Sequence, residues 1–305
     1  MRGRIYDVGT QMTNYTFGCS FTKWYWPTWS DWMGVYGHQT QNLAYPGYNN
    51  KLIYWMLIDR LDTITTADHV YIMWSENNRI PQWYDNEWVI KNDCKGFFPD
   101  NNGELWFGSE AYTGLYRTHP EHQFSQTHNI VNLFNIIFDT QQLLKSRNIN
   151  YTMMFMCNPW ADSRPTHGKR FITNWGNKDT LSVADIKLAD SILKIRPVRH
   201  ILTMIDWTTF VEAVDIMQPT SYTGLMEYYL GKRELVLLAH ESDSHPNPLA
   251  HHEYLVEKIL KIHASTDVQT RALNISYDVM NMKIPEWGVD DFIGLPDAIL
   301  LRSPI

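Results

Sequence analysis

The sequence lacks several features that would indicate a class of protein directly. Its 305 residues contain three cysteines, Cys19, Cys94 and Cys157, whose wide spacing supports neither a disulfide framework nor a zinc ribbon. No run approaches the ~20 apolar residues of a membrane-spanning helix, and the first residues lack the apolar stretch of a signal peptide. These absences favour a cytoplasmic protein in a reducing compartment, which could leave the cell by lysis or as part of a particle.

Positive charge is also scarce. The chain has 26 Lys and Arg residues against 33 Asp and Glu residues, which gives a formal net charge of −7. A general nucleic-acid binder needs a surplus of Lys and Arg to neutralise phosphates, so we expect no nucleic-acid partner and, without an apolar span, no membrane partner. A local basic patch stays open as an alternative. The sequence does not indicate the oligomeric state.

Tryptophan, in contrast, is abundant. The chain has 13 Trp residues, and Trp24, Trp26, Trp29 and Trp32 lie within nine positions. Such side chains can stack on sugar rings or bases, or they can bury a large apolar area while the indole N–H finds an acceptor. We expect most of them to pack in the core, with Trp24 and Trp26 as candidate substrate-binding residues.

Short apolar runs alternate with helical patterns, which is typical of an α/β fold with a mainly parallel sheet. Strands are predicted over 14–17, 68–74, 151–157 and 198–205. Helices are predicted from residue 28 or 30, over 50–60, from 125 or 127, over 182–195, after Asp206 and from 247 or 248. We expect one domain over 1–305, with an irregular insertion at about 80–124 and an unassigned C-terminal extension at about 265–305.

Ser20 comes directly after the first predicted strand, two positions beyond Gly18. In an open parallel sheet, ligands bind in the crevice outside the carboxyl ends of the strands, so a serine at that end is placed to meet a substrate. Many serines at such positions only cap a helix. The position of Ser20 alone therefore does not indicate catalysis.

A second candidate segment, Asp243-Ser244-His245-Pro246-Asn247, precedes the last predicted helix of clear period. His245 could accept the proton of the Ser20 hydroxyl through one ring nitrogen. Asp243 could hold the other ring nitrogen and stabilise the imidazolium. The alternative is an ordinary turn, because Asp, Ser, Pro and Asn are common turn and cap residues.

Together with two intermediate segments, these residues resemble the SGNH (GDSL-like) hydrolase family, named for a Ser, a Gly, an Asn and a His in four blocks. The first block matches Gly18-Cys19-Ser20-Phe21. The second block, which supplies a glycine to the oxyanion hole, matches Pro46-Gly47-Tyr48-Asn49. The third block matches Ser75-Glu76-Asn77-Asn78, which places Asn77 at the oxyanion asparagine, and the last block matches the segment around His245.

The sequence also departs from the family pattern. Cys19 replaces the usual Asp, Ser75 replaces a Gly, Asn78 replaces an Asp, and one residue rather than two separates Asp243 from His245. The resemblance covers about the first eighty residues and the segment around 240–262. Within the family, the chain is similar to uncharacterised marine-phage proteins with Gly-Cys-Ser-Phe-Thr near the N-terminus and Asp-x-His-Pro late in the chain.

The resemblance implies a three-layer α/β/α sandwich with a flavodoxin-like sheet, and a serine esterase or deacylase without a cofactor. Ser20 would attack an ester carbonyl with His245 as base and Asp243 as its partner. The Ser20 N–H, the Gly47 N–H and the Asn77 amide would bind the oxyanion. Acylated carbohydrate is the expected substrate. The alternatives are an O-acyltransferase, or a catalytically idle SGNH-like domain that binds glycans or serves as a structural component of a phage particle.

Two other features have competing interpretations. His240, His245, His251 and His252 could indicate a metal site. However, His251 and His252 are adjacent and would point in different directions on a helix, so we expect surface or packing histidines and no metal. Arg79 is a candidate for binding an anionic group of the substrate, and a surface ion pair is the alternative.

Overall fold

The computed structural model describes residues 12–24, 26–45, 48–77, 81–85, 105–109, 126–161, 181–230 and 245–281, with 81–85 and 105–109 described by their backbone alone. Its strands are β1 (Thr13–Phe17), β2 (Gln39–Asn42), β3 (His69–Trp74), β4 (Pro81–Asp85), β5 (Leu105–Ser109) and β6 (Asn150–Phe155). Its α-helices are α1 (Trp29–Val35), α2 (Asn50–Arg60), α3 (Gln126–Ser146), α4 (Val183–Leu193), α5 (Arg196–Met204), α6 (Leu225–Leu230), α7 (Pro248–Tyr254) and α8 (Thr266–Asn281). No helix in these ranges is long and apolar enough to cross a bilayer.

Four of the strands form a parallel sheet in the order β2-β1-β3-β6. Parallel bridges of Met153 with Phe210 and of Phe155 with Gly224 continue the pairing beyond β6. Glycine is required at 224 because a Cβ atom there would lie 2.3 Å from the carbonyl oxygen of Phe155. The predicted α/β class with a mainly parallel sheet is confirmed.

The carboxyl halves of the central strands are buried at consecutive positions, as expected for a sheet covered on both faces. The Thr16 hydroxyl of β1 lies 2.6 Å from that of Ser30 in α1, whereas the neighbouring Tyr15 hydroxyl donates to the Thr63 carbonyl after α2. Successive strand side chains point to opposite faces, so these two segments lie on opposite sides of β1. The complete three-layer sandwich stays a prediction.

Local sequence signals explain where two helices near the candidate site begin. The Asn49 side chain accepts a hydrogen bond from the Leu52 N–H at 2.9 Å and caps α2, whose bounds match the predicted helix over 50–60. The Asn247 side chain caps α7 in the same way, accepting from the Ala250 N–H at 2.8 Å. Each cap fixes the backbone at the first turn of its helix.

The strand predicted over 198–205 is wrong, because this segment lies in α5. Pro197 stands in the first turn of the helix, where its missing N–H removes no intrahelical hydrogen bond. Val198 and Leu202 are buried at a spacing of four residues, which is the helical period.

Two regions contain more regular structure than predicted. The backbones of β4 and β5 pair antiparallel within the segment predicted to be an irregular insertion, and α8 lies in the region without an assignment. The buried side of α8 includes Ala272, Ser276 and Val279. Ser276 accepts a hydrogen bond from the Leu249 N–H of α7 at 2.9 Å, so a polar residue interrupts the hydrophobic period that would have revealed the helix.

Candidate active site

Ser20 lies in a tight turn at the carboxyl end of β1. The Thr22 N–H donates to the Cys19 carbonyl at 2.9 Å. Glycine is required at 18, because a Cβ atom there would lie 2.1 Å from the Thr22 Oγ1 and 3.3 Å from the Met73 carbonyl oxygen. The chain therefore turns directly after the strand and places Ser20 at the sheet edge where ligands bind in parallel α/β folds.

The end of this turn, at Thr22, is hydrogen-bonded to β2 and to the start of α1. The Thr22 carbonyl accepts hydrogen bonds from the Thr28 Oγ1 at 2.6 Å and from the Asn42 Nδ2 at 2.8 Å. Thr28 is also the N-cap of α1, in a capping box with Asp31. Since Thr28 caps the helix that follows, a capping role does not account for Ser20.

The Ser20 side chain is 1% exposed, and its Oγ has no hydrogen-bond partner among the described residues. A buried hydroxyl without a partner destabilises the fold by roughly 1–3 kcal/mol through lost hydration. Most buried polar groups in native structures are paired, so an exception calls for an explanation. A hydroxyl kept for a substrate is one such explanation.

His245 is brought to the same turn from the other end of the chain. Its ring centroid lies 5.1 Å from that of Phe21, the residue after the predicted nucleophile. Trp24 stacks on the His245 ring with a centroid distance of 3.7 Å and an interplanar angle of 18°. The Trp26 Nε1 donates to the Pro246 carbonyl at 2.7 Å across 220 positions of sequence. The structure therefore unites the two predicted catalytic segments.

The helix that follows His245 is held against α1. The Trp32 Nε1 donates to the Pro248 carbonyl at 3.1 Å. The Tyr36 hydroxyl lies 2.8 Å from the His252 Nε2, and the two rings stack. These contacts fix the start of α7, and with it the backbone next to His245.

His251 and His252 lie inside the protein rather than on its surface, both at 0% exposure. Burial, together with the charge of His245, lowers the pKa of His251 to about 3. Burial lowers the pKa of His252 to about 4. Both are therefore neutral packing residues, and the described part of the chain contains no group of three or more His, Cys, Asp or Glu side chains that could hold a metal ion.

Asn77 follows β3 in a loop that is fixed by the first residue of α2. The Asn50 Nδ2 donates to the carbonyls of Ser75 at 3.1 Å and Glu76 at 3.2 Å, and its Oδ1 accepts from the Ser75 N–H at 2.7 Å. Asn77 is 5% exposed, its Nδ2 donates to the Pro159 carbonyl, and its Oδ1 has no partner among the described residues. The Asn77 amide is thus engaged by the protein through its nitrogen.

Three predicted site residues, Gly47, Arg79 and Asp243, lie outside the described residues, and their roles stay predictions. The role of Asn50 in holding the loop after β3 was not predicted from the sequence. The signal was the pair Asn49-Asn50, because a helix has a single N-cap position and the second asparagine is then available for another contact.

The tryptophan cluster is mainly a packing element, as predicted. Trp26, Trp29 and Trp32 are 3%, 0% and 0% exposed. Trp24 is half-buried and lies against His245. Of the two candidate substrate-binding tryptophans, Trp24 is therefore the one with part of its surface accessible.

Comparisons of the chain with protein-family models, with curated proteins and with solved structures found no match. The resemblance to SGNH hydrolases stays a prediction that rests on the four sequence blocks. The geometry around Ser20 and His245 is the structural indication of a function.

Proposed function

We propose that this protein is a serine esterase or deacylase in which Ser20 is the nucleophile and His245 its base. The observation that carries the proposal is the convergence at the end of β1. A buried Ser20 hydroxyl without a partner among the described residues lies next to Phe21, and the His245 ring packs against Phe21 at 5.1 Å. A serine and a histidine brought to the same carboxyl edge of a parallel sheet support acyl transfer, which needs the two side chains within hydrogen-bond reach once substrate binds.

The reaction has two balanced halves. The Ser20 Oγ attacks the ester carbonyl while its proton passes to His245, and the carbon–oxygen bond to the alcohol breaks as the alcohol takes that proton. Water then attacks the acyl group on Ser20 and gives a proton to His245. The carboxylic acid leaves, and that proton returns to the serine oxygen. Asp243 would hold the second ring nitrogen of His245.

The oxyanion of each tetrahedral intermediate needs donors that are in place beforehand. The second amide hydrogen of Asn77 is one candidate, since the Asn50 contacts fix the loop that carries it. The Ser20 and Gly47 N–H groups complete the proposed set. An acylated carbohydrate is the proposed substrate class, because the segment that follows Ser20 is rich in aromatic side chains, which can stack on sugar rings.

One observation favours a second candidate, a catalytically idle SGNH-like domain that binds glycans or serves as a structural component. The Asn77 amide already donates to the Pro159 carbonyl, so part of the proposed oxyanion hole is occupied by the protein itself. An idle domain would keep this contact and would not need an activated serine. The two candidates therefore differ in the reactivity of Ser20.

Labelling with a fluorophosphonate tests the proposal, because only an activated serine reacts. We expect one adduct on the wild type, mapped to Ser20 by peptide mass spectrometry, and none on Ser20→Ala. Ser30→Ala, which removes another buried serine hydroxyl close to β1, is the control and should still be labelled. Hydrolysis of p-nitrophenyl acetate should fall by roughly ten-thousandfold in Ser20→Ala.

The melting temperature of Ser20→Ala should equal or exceed that of the wild type, since no hydrogen bond of Ser20 Oγ within the described residues is lost. An unlabelled, folded wild type would favour the idle domain. Labelling that persists in Ser20→Ala would exclude Ser20 as the nucleophile.

A further inference from the structure

Among the residues that the structure describes, three aromatic rings surround the imidazole of His245. Trp24 lies parallel to it, at 3.7 Å between ring centroids and an interplanar angle of 18°. Trp26 presents an edge, at 6.5 Å and 82°, and Phe21 is tilted at 5.1 Å and 44°. All three belong to the segment that follows β1, which is the segment that also carries Ser20. The segment that carries the proposed nucleophile therefore also supplies the aromatic side chains that pack around the proposed base.

Trp24 and Trp26 have different roles within this enclosure. Trp26 is 3% exposed, donates to the Pro246 carbonyl and packs with Val279 of α8, so it anchors the backbone beside His245. Trp24 is half-buried, and it meets Trp26 edge-on at 6.1 Å and 85°. The anchored Trp26 thus fixes the plane of Trp24, and Trp24 fixes the plane of the imidazole.

A stacked indole also favours a positive charge on the imidazole. A cation over the face of a tryptophan within about 6 Å is stabilised by the negative face of the ring. In the proposed reaction His245 is neutral before attack and becomes an imidazolium only while Ser20 bonds to the substrate. An interaction that strengthens at that moment lowers the barrier rather than the energy of the bound substrate.

We propose that Trp24 is a positioning residue, which holds the His245 ring toward Ser20 and stabilises the imidazolium formed in the transition state. This inference rests on the proposed esterase function. It differs from the substrate-wall role suggested by the sequence, because the Trp24 face is turned to His245 at stacking distance. Trp24 then acts on the chemical step and not on substrate affinity.

The two roles predict different kinetics. In Trp24→Leu we expect kcat for p-nitrophenyl acetate and the rate of fluorophosphonate labelling to fall roughly tenfold, with KM unchanged. Trp24→Phe should recover most of the rate, since an aromatic face is restored. Trp55→Leu, which removes an exposed tryptophan on α2, is the matched control and should change neither constant.

The stacking itself has a spectroscopic signature that does not depend on activity. The ring current of Trp24 should shift the His245 ring protons upfield in the NMR spectrum, with the signals assigned through His245→Gln. Trp24→Leu should remove that shift, and Trp24→Phe should keep part of it. Thermal unfolding of each variant would establish that it is folded.

Each outcome separates this inference from the function on which it rests. A labelled wild type with an equally fast Trp24→Leu would overturn the positioning role and leave the esterase standing. A raised KM with unchanged kcat would assign Trp24 to the substrate wall instead. An unlabelled, folded wild type would remove the esterase proposal, and the positioning role with it.

Discussion

The buried polar groups at the two edges of the parallel sheet differ in their hydrogen bonding. At the amino edge, the Asp68 carboxylate accepts hydrogen bonds from the Thr13 N–H at 3.0 Å, the Thr65 N–H at 2.8 Å and the Thr65 hydroxyl at 2.7 Å. The His69 Nε2 lies 2.9 Å from the Thr152 hydroxyl. This network ties the start of β1 to the turn before β3, and β3 to β6.

At the carboxyl edge, the buried Asn158 after β6 has both side-chain groups paired, but several other buried polar atoms lack a partner among the described residues. The Ser20 Oγ, the Ser75 Oγ and the Asn77 Oδ1 have no hydrogen-bond partner among the described residues. Paired groups at one edge stabilise the fold, while groups left unused at the other are suited to a ligand. Asn14 in β1 breaks this pattern, because its buried amide also lacks a described partner, and nothing in the structure explains it.

Removing the Asp68 carboxylate should produce the largest change in stability at the amino edge. Burial raises the pKa of this carboxyl, but the hydrogen bonds from Thr65 and Thr13 outweigh it and lower the pKa, which keeps a charged acceptor in place. Asp68→Ala should lower the free energy of unfolding by about 3 kcal/mol, measured by urea titration. Fluorophosphonate labelling of the folded variant should not change.

Asp62→Ala is the matched control for this substitution, because the Asp62 side chain is 90% exposed and only 3.6 Å from Arg147. An exposed pair of this kind should contribute under about 1 kcal/mol. Equal losses in the Asp68 and Asp62 variants would mean that the amino-edge network does not stabilise the fold.

Asn77→Ala tests whether a polar group at the carboxyl edge takes part in the reaction. Loss of one oxyanion donor should slow labelling of Ser20 and ester hydrolysis by about a hundredfold, or about 2.7 kcal/mol in barrier height. The loss of the bond to the Pro159 carbonyl should reduce stability by about 1 kcal/mol. Asn14→Ala removes another buried amide without a described partner, in β1, and should leave the labelling rate unchanged. Similar rates in both variants would remove Asn77 from the oxyanion hole.

The contrast between the edges was partly visible in the sequence. Apolar runs that end in polar residues predicted β1 and β3 and placed Ser20 and Asn77 after them. The convergence of Ser20 and His245 was predicted from the resemblance, not from spacing, because residues so far apart meet only through tertiary packing. The contact of Asn77 with Pro159 carries no local signal, and the contact of Asn50 with the loop after β3 is indicated only by the second asparagine at the start of α2.

Helix and strand assignments failed where packing overrides a local pattern. The short apolar run of α5 fits a strand by composition, and only its four-residue burial period and Pro197 identify a helix. The β4–β5 pairing depends on a partner strand distant in sequence, as cross-strand contacts generally do. The stacking of Trp24 on His245 is a contact of the same kind, since it joins distant segments.

A buried histidine near each edge gives the smallest predicted effect. Burial lowers the pKa of His69 at the amino edge to about 4, and burial with the charge of His245 lowers that of His251 to about 3. Each binds fewer protons in the folded than in the unfolded chain, so acid favours unfolding. For the fully buried His251, the free energy of unfolding should fall by about 2 kcal/mol between pH 7 and pH 5.

Leucine substitutions distinguish the two histidines. His251→Leu should leave stability at pH 7 unchanged or higher, because neither ring nitrogen has a described partner, and should flatten the acid slope in urea titrations. His69→Leu should also flatten the slope but should lose about 1 kcal/mol at pH 7, since the Thr152 hydroxyl loses its partner. If both variants lost the same stability at pH 7, hydrogen bonding of the buried histidine would not differ between the amino and carboxyl edges of the sheet. If only His69→Leu lost stability, the polar groups without partners would lie at the carboxyl edge, on the side of Ser20.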